Sequence, residues 1–152
     1  MSRVTTATER RPRGQALVEF SLSIIVFLVI LMGIFDLGRA VYMYNGVSEA
    51  AREIARRTSV YTCDHTLTCT LGDSTETAAA IAVQRGLIPS MAAVAPGSPD
   101  FLCVDIAGTA KAGECGALDF VQVTVSATYT PITLFGVSGP ITLRSTSSVQ
   151  IP

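Results

Sequence analysis

A run of twenty residues near the N-terminus constrains this chain more than any other feature. From Ala16 to Phe35 the sequence is apolar apart from two serines, one glycine and Glu19, which is its only ionisable residue. Twenty helical residues rise about 30 Å, which is the thickness of the hydrocarbon core of a bilayer. The whole chain has only 152 residues, too few to bury such a helix on every side. The run therefore predicts a transmembrane helix.

Basic residues are distributed unevenly around this run. Only Arg39 and Arg52 lie within about twenty residues after it, whereas four arginines precede it: Arg3, Arg10, Arg11 and Arg13. The positive-inside rule then predicts a single-pass protein of the cytoplasmic membrane, with a cytoplasmic N-terminus and an extracytoplasmic C-terminal domain. Residues 15–152 contain seven Lys or Arg against eleven Asp or Glu, so we expect no nucleic-acid partner.

An ordinary secretory signal peptide is an alternative interpretation of the same run. The apolar core of such a peptide has about 7–15 residues and ends at a small-x-small cleavage site. Here the run is longer, and the nearest similar tripeptide, Gly38-Arg39-Ala40, lies among charged residues. The pattern therefore favours an anchor that is not removed by conventional signal cleavage.

The junction before the run carries a more specific pattern. The basic leader ends at Arg13-Gly14 and continues as Gln15-Ala16-Leu17-Val18-Glu19-Phe20. This junction resembles that of type IV prepilins, in which a glycine precedes the cleavage site and a glutamate occupies the fifth mature position. Gly14 and Glu19 match both positions, whereas Gln15 stands where pilins often have phenylalanine.

More narrowly, the chain from Arg13 to Arg57 resembles TadE-like proteins, which are pilin-like components of tight-adherence (Flp) pilus systems. Besides the junction, the resemblance includes the segment GIFDLGRAVYMYNGVSEAAREIARR. It implies cleavage between Gly14 and Gln15 by a prepilin peptidase, contact with membrane lipids, and assembly with other pilus or secretion-system subunits. Beyond Arg57 the resemblance is limited to a loose pattern of a helix followed by strands.

Glu19 is the candidate assembly residue. Insertion scales assign an acidic residue at the centre of a membrane helix a cost of about 2.5–3.5 kcal/mol, and less near an interface. Glu19 lies about one turn inside the apolar run, so it needs either a partner or access to the cytoplasmic headgroups. The resemblance implies that it pairs with the N-terminal amine of a subunit in the assembly.

A spacing of three and four residues continues beyond the apolar run. It joins Ile34, Leu37, Val41, Tyr44, Ser48, Ala51, Ala55 and Thr58, and acids precede bases at helical separations in Glu49–Arg52, Glu53–Arg56 and Glu53–Arg57. We therefore predict one helix from about Ala16 to about Ser59. The predicted organisation is a leader (1–14), a transmembrane helix (15–35), an extracytoplasmic stem helix (36–60) and a head (61–152).

The head has the pattern of a small α+β domain. Asp73-x-x-Glu76 predicts a cap for the helix TETAAAIAVQR, which Gly86 and Pro89 would end. Three strand-like segments follow, at 101–106, 120–129 and 141–151, with a turn region at 108–116. We therefore predict a long transmembrane helix that continues into a helix-plus-antiparallel-strand head. The sequence does not predict the strand order.

The four cysteines all follow the apolar run, on the side where disulfides persist. They are Cys63, Cys69, Cys103 and Cys115, which allow three pairings. Sequence proximity favours Cys63 with Cys69 and Cys103 with Cys115. A zinc site that includes Cys63, His65 and Cys69 is the alternative, but the closely spaced cysteine pairs of structural zinc sites are not present. We expect disulfides, and neither a metal nor another cofactor.

The sequence contains few of the patterns that indicate catalysis. It has one histidine, no H-E-x-x-H motif and no glycine-rich phosphate loop after a strand, so we expect no enzyme and assign no catalytic residue. Two functions remain. One is a pilin-like component, a pseudopilin or minor pilin, that supports pilus biogenesis and surface adhesion. The other is an uncleaved signal-anchored membrane protein with an extracytoplasmic binding or sensing head. Cleavage after Gly14 distinguishes them.

Overall fold

The structure is a computed structural model that describes residues 13–61, 70–111, 115–116, 118–132 and 139–152. Most of the basic leader lies outside these residues, as do Cys63, His65 and Cys69. The helices are α1 (Arg13–Val60) and α2 (Thr75–Leu87), and the strands are β1 (Phe101–Val104), β2 (Ala110–Lys111), β3 (Phe120–Tyr129) and β4 (Ile141–Gln150). A long apolar N-terminal helix followed by a helix and an antiparallel sheet confirms the predicted α+β class.

The chain divides into two units, residues 1–35 and residues 36–152. The described part of the first unit is the N-terminal portion of α1, and its large apolar side chains are exposed. The second unit contains the remainder of α1, together with α2 and the strands.

The strands of the second unit form a sheet with the order β2-β1-β3-β4, and each neighbouring pair is antiparallel. In the longest pairing, Phe120 lies opposite Gln150 and Tyr129 lies opposite Ile141. β3 has the bounds that its alternating pattern predicted. β1 and β4 are slightly shorter than predicted, and the two-residue strand β2 lies inside the predicted turn region.

The core of the second unit lies between one face of β3 and the helices. Alternate residues of β3 are buried, because successive side chains of a strand point to opposite faces. They belong to one apolar cluster with residues of α1, of α2 and of the connecting segments: Val47, Ala50, Ala51, Ile54, Ala55, Ile81, Ile88, Met91, Val94, Phe101, Val121, Val123, Val125, Ala127 and Ile151.

The three-and-four series of α1 is buried only toward its end. Ala51, Ala55 and Thr58 are buried, whereas the earlier positions of that series, from Ile34 to Tyr44, are exposed. Val47 and Ile54 are fully buried and were not in the series. The difference arises because the core begins only at Val47, and the strands determine which helix face is covered.

α2 begins at Thr75, the first residue of the predicted helix, but its N-cap lies one residue later than predicted. Ser74, not Asp73, is the N-cap, since its hydroxyl oxygen accepts a hydrogen bond from the amide of Thr77 at 3.1 Å. The hydroxyl of Thr77 also lies 3.3 Å from that of Thr58 in α1. Ser74 and Thr77 are both buried, so the cap is part of the packing between the two helices.

Candidate functional site

The apolar surface of α1 before Asp36 is exposed along its whole described length. Within the described residues, α1 is the one helix long and apolar enough to cross a membrane, and its most apolar 18-residue window has a mean hydropathy of 2.7 with none of it buried. Ile25, Phe27 and Ile30 are each more than half exposed. Exposed apolar surface of this extent marks a site for lipid or for another protein.

Glu19 lies on this exposed surface, one turn after Gln15. The side-chain amide of Gln15 donates a hydrogen bond of 3.0 Å to Oε1 of Glu19. The separation of four residues places both side chains on the same side of the helix. Because the amide donor is neutral, this hydrogen bond places no positive charge beside the carboxyl group.

Ser21 provides a useful contrast with Glu19. Its hydroxyl donates a hydrogen bond of 2.8 Å to the carbonyl oxygen of Leu17, within the same helix. A serine that binds the preceding turn is satisfied locally, even where no water is present. Ser21 is therefore a polar residue that needs no partner from outside the helix, whereas Glu19 retains acceptor capacity for a cation.

Gly14 and Gln15 lie in the first turn of α1. Gly14 has a helical backbone, and a Cβ placed there would meet no described atom within 4 Å. Glycine also lowers helix stability by about 1 kcal/mol relative to alanine in a helix interior. Neither backbone conformation nor close packing in the described chain therefore requires glycine at position 14.

A polar cluster follows the apolar surface at Asp36, within the second unit. The hydroxyl of Tyr129 donates to Asp36, reaching its carboxylate and its backbone carbonyl oxygen, and the amide of Ile132 donates to Oδ1 of Asp36 at 3.1 Å. Arg39 lies 3.7 Å from the same carboxylate, and its guanidinium is 5.7 Å from the centre of the Tyr129 ring. We call these four residues the Asp36 cluster.

Hydrogen bonding and burial in the Asp36 cluster shift the pKa values of Asp36 and Tyr129 in opposite directions. The Tyr129 hydroxyl, followed by the Ile132 amide, holds the pKa of Asp36 below its usual value despite partial burial. Burial, followed by the bond to Asp36, raises the pKa of the Tyr129 hydroxyl. The carboxylate therefore remains charged and the phenol remains protonated at neutral pH, which preserves donor and acceptor.

Sequence reasoning missed the Asp36 cluster. Tyr129 is 93 residues from Asp36, and no local spacing relates the two. One signal was present, since Asp36 is the first charged residue after the apolar run, but it did not identify a partner.

A second polar cluster lies at the other end of β3, beside a disulfide. Cys103 and Cys115 are joined, with their Cα atoms 5.6 Å apart, which is the pairing that proximity favoured for them. Asp119 accepts a hydrogen bond of 2.7 Å from the amide of Gly116 and forms an ion pair of 2.6 Å with Lys111. The ammonium of Lys111, followed by the amide of Gly116, lowers the pKa of Asp119.

The other sequence candidates are only partly described. Cys63, Cys69 and His65 lie outside the described residues, so their pairing stays a prediction. Among the residues that are described, no three His, Cys, Asp or Glu side chains form a group suited to a metal ion. The geometry thus brings Gln15 together with Glu19, and Cys103 together with Cys115.

Comparison with known families identifies the N-terminal part of the chain. Residues 14–56 match the model of the TadE-like protein family, which confirms the resemblance drawn from the sequence. The matched range contains Gly14, Gln15 and Glu19. Together with the exposed apolar helix, the match fits a single-pass membrane protein. Neither a curated protein nor a solved structure matches the chain.

Proposed function

We propose that this chain, whose residues 14–56 match the TadE-like family, is a pilin-like subunit of a tight-adherence pilus system. It acts as a pseudopilin or minor pilin that supports pilus biogenesis and surface adhesion, and it is not an enzyme. The observation that carries this proposal is Glu19, a carboxyl group on an exposed apolar helix inside the matched range, whose hydrogen-bond partner among the described residues is the neutral amide of Gln15. Such a residue suits a helix that assembles with other helices in a bilayer.

The proposal includes an orientation in the cytoplasmic membrane. The four arginines before the apolar run favour a cytoplasmic N-terminus, so residues 36–152 lie outside. The disulfide between Cys103 and Cys115 supports this orientation, because disulfides persist in oxidising compartments and are rare in the cytosol.

Processing by a prepilin peptidase between Gly14 and Gln15 is part of the same proposal. Support comes from the basic leader, from a glycine that neither conformation nor packing against the described residues requires, and from Glu19 at the fifth position after the cut. The new α-amino group would lie on Gln15, whose side chain already reaches Glu19 in the intact chain. A cation is thereby created within the apolar helix, at one end of the surface that carries the acid.

The pairing of Glu19 with an N-terminal amine of a neighbouring subunit would give this site its role. In a medium of low dielectric, a carboxylate and an ammonium attract strongly, but both lose their hydration, so the pair adds little net stability. Its main effect is positional, because only one axial register brings the two charges together. We therefore expect Glu19 to determine how subunits align, and not whether the helix enters the membrane.

Substitution of Glu19 tests the proposal in the native host. Glu19→Ala should still fractionate with the membrane, since alanine enters a bilayer more readily than glutamate. It should be lost from purified pilus complexes and reduce surface piliation. Glu19→Gln should behave similarly, because the amide keeps the shape and removes the charge. Ser21→Ala is the matched control, and it should assemble normally because the Ser21 hydroxyl already donates to the Leu17 carbonyl of its own helix.

Two results would contradict the proposal. Normal assembly and piliation with Glu19→Ala would show that the carboxylate has no pairing role. The intact mass and the N-terminal sequence of the assembled protein provide the second test. A mature chain that begins at Gln15 is expected, and one that begins at Met1 or Ser2 would instead support an uncleaved anchored protein with a binding or sensing head.

A further inference from the structure

The sheet end that carries Tyr129 is held at the point where the apolar run stops. Asp36 directly follows Phe35, the last residue of the run. A charged residue after a transmembrane segment lies at the level of the lipid headgroups. The amide of Ile132 is 3.1 Å from the Asp36 carboxylate and the Tyr129 hydroxyl also binds Asp36, so this end of β3 lies at the same level.

Apolar side chains are exposed at this sheet end. Ile132 is 57% exposed, and Ile141, which lies opposite Tyr129 in the β3–β4 register, is 49% exposed. Two exposed isoleucines on a soluble domain would need no explanation. Here their position is informative. Ile132 is hydrogen-bonded to Asp36, the first charged residue after the apolar run, and Ile141 lies opposite Tyr129, which also binds Asp36.

The neighbouring helix residues have the composition of a membrane–water interface. Arg39 is half exposed and lies over the ring of Tyr129, and Tyr42 is 76% exposed on the next turn of α1. Tyrosine is enriched at the headgroup level, and arginine extends its charge there along an apolar stem. Leu37, one residue after Asp36, is also largely exposed.

From these observations we infer that the end of the sheet formed by Tyr129, Ile132 and Ile141 rests in the headgroup region of a phospholipid bilayer. The isoleucines enter the interface, and the Asp36 cluster holds them at that depth. The inference rests on the proposed membrane insertion of α1 and adds a second lipid contact, made by the head itself. We assign lipid as the partner because Asp36, which binds this end of the sheet, directly follows the apolar run.

The absence of tryptophan from the sequence allows a direct test. Ile132→Trp would place a single tryptophan at the proposed contact in the full-length chain. The variant is reconstituted into phosphatidylcholine vesicles with or without bromine on the acyl chains. We expect a blue-shifted emission that loses intensity in the brominated vesicles. Ile141→Trp is a second reporter, and tryptophan suits its strand position.

The matched control is Ile106→Trp. Ile106 is 82% exposed, more than Ile132, but it follows β1 near Phe120, at the opposite end of β3. β3 has ten residues, so its two ends are about 30 Å apart at the usual rise per residue. Its emission should be unchanged by bromine. Phe27→Trp, inside the apolar run, gives the reference for full quenching.

The outcomes separate this inference from the proposed function. If Phe27→Trp is not quenched and the protein does not float with the vesicles, membrane insertion itself is wrong. If Phe27→Trp is quenched while Ile132→Trp and Ile141→Trp behave like Ile106→Trp, only the second lipid contact is overturned. Adding Tyr129→Phe to Ile132→Trp removes the hydroxyl that binds Asp36, and the quenching should decrease. Unchanged quenching in that double variant would overturn the role of the Asp36 cluster.

Discussion

The two portions of α1 use apolar residues in different ways. Before Asp36 the helix is apolar on all sides and its large side chains are exposed. From Val47 to Thr58 it is apolar on one face only. That face is fully buried and includes small residues such as Ala51 and Ala55. The first portion suits a lipid environment, which contacts a helix on every side. The second portion suits packing against the sheet, which covers only one face of the helix. Apolar content alone therefore does not indicate a protein core, whereas its distribution around the helix does.

The strongest test of this comparison is one truncation made in each portion. Ile54→Ala removes a fully buried side chain and should lower the free energy of unfolding of the head by about 2–5 kcal/mol. Ile25→Ala makes the same change on the exposed portion and should leave the stability of the head unchanged. Near-ultraviolet circular dichroism of both variants in detergent, during denaturant titration, measures the effect. Equal losses in the two variants would contradict the comparison.

The disulfide between Cys103 and Cys115 gives the next largest expected effect. It closes a loop with a sequence separation of 12, for which chain entropy predicts about 3 kcal/mol. Replacing both cysteines by serine should destabilise the head by about that amount and leave membrane insertion intact. Denaturant titration and membrane fractionation of the double variant measure the two properties. A loss of insertion would show that the two portions of the chain are not independent in this respect.

Acid should destabilise the head through Asp119. Its pKa is lowered, so its stabilising contribution is present above the ordinary carboxyl pKa of about 3.9 and is lost as the pH falls through the lower folded value. Asp119→Asn should therefore flatten the decline in the unfolding midpoint between about pH 5 and pH 2. Some decline should remain, because the pKa values of Asp36 and Glu53 are lowered as well. Lys111→Met should weaken the same dependence, and a profile unchanged by either substitution would contradict the ion pair.

The smallest effect on stability is expected at Glu53, the residue next to Ile54. Glu53 forms ion pairs of 3.1 Å with Arg56 and 2.8 Å with Arg57, on the solvent side of the helix. Glu53→Gln should cost only about 0.3–0.5 kcal/mol, as is usual for exposed helix pairs, and the difference should shrink at high salt. Thermal unfolding at low and high salt measures it. A cost as large as that of Ile54→Ala would show that the charged face of α1 also has a partner.

The periodicity of apolar residues in the sequence predicted most of α1 and the bounds of β3. The strict alternation of Val121, Val123 and Val125 gave β3 its observed bounds, and the apolar run with its continuing helical spacing gave most of α1. The N-cap was displaced by one residue because both Asp73 and Ser74 are good caps, and the burial of Ser74 beside Thr77 distinguishes them. β2 was missed because two residues form a strand only when a neighbour is already in place.

In the candidate site, too, features that depend on residues close in sequence could be predicted, and contacts between distant residues could not. Gly14 and Glu19 were identified from a motif a few residues long, and the contact between Gln15 and Glu19 follows from helical spacing. The Asp36 cluster was not predicted, because it joins segments 93 residues apart whose register depends on the pairing of β3 with the rest of the sheet. Contacts of this kind follow from the completed fold.

The long sequence separation between α1 and β3 also determines the order in which the fold forms during synthesis. During synthesis α1 emerges long before β3, the strand that covers its buried face through Val121, Val123 and Val125. Contacts between distant segments form late, because the intervening chain must first be ordered. Ile54 and its neighbours are therefore uncovered for the time needed to synthesise about seventy further residues. In that interval the nascent helix presents a surface to chaperones and proteases that the finished head no longer has.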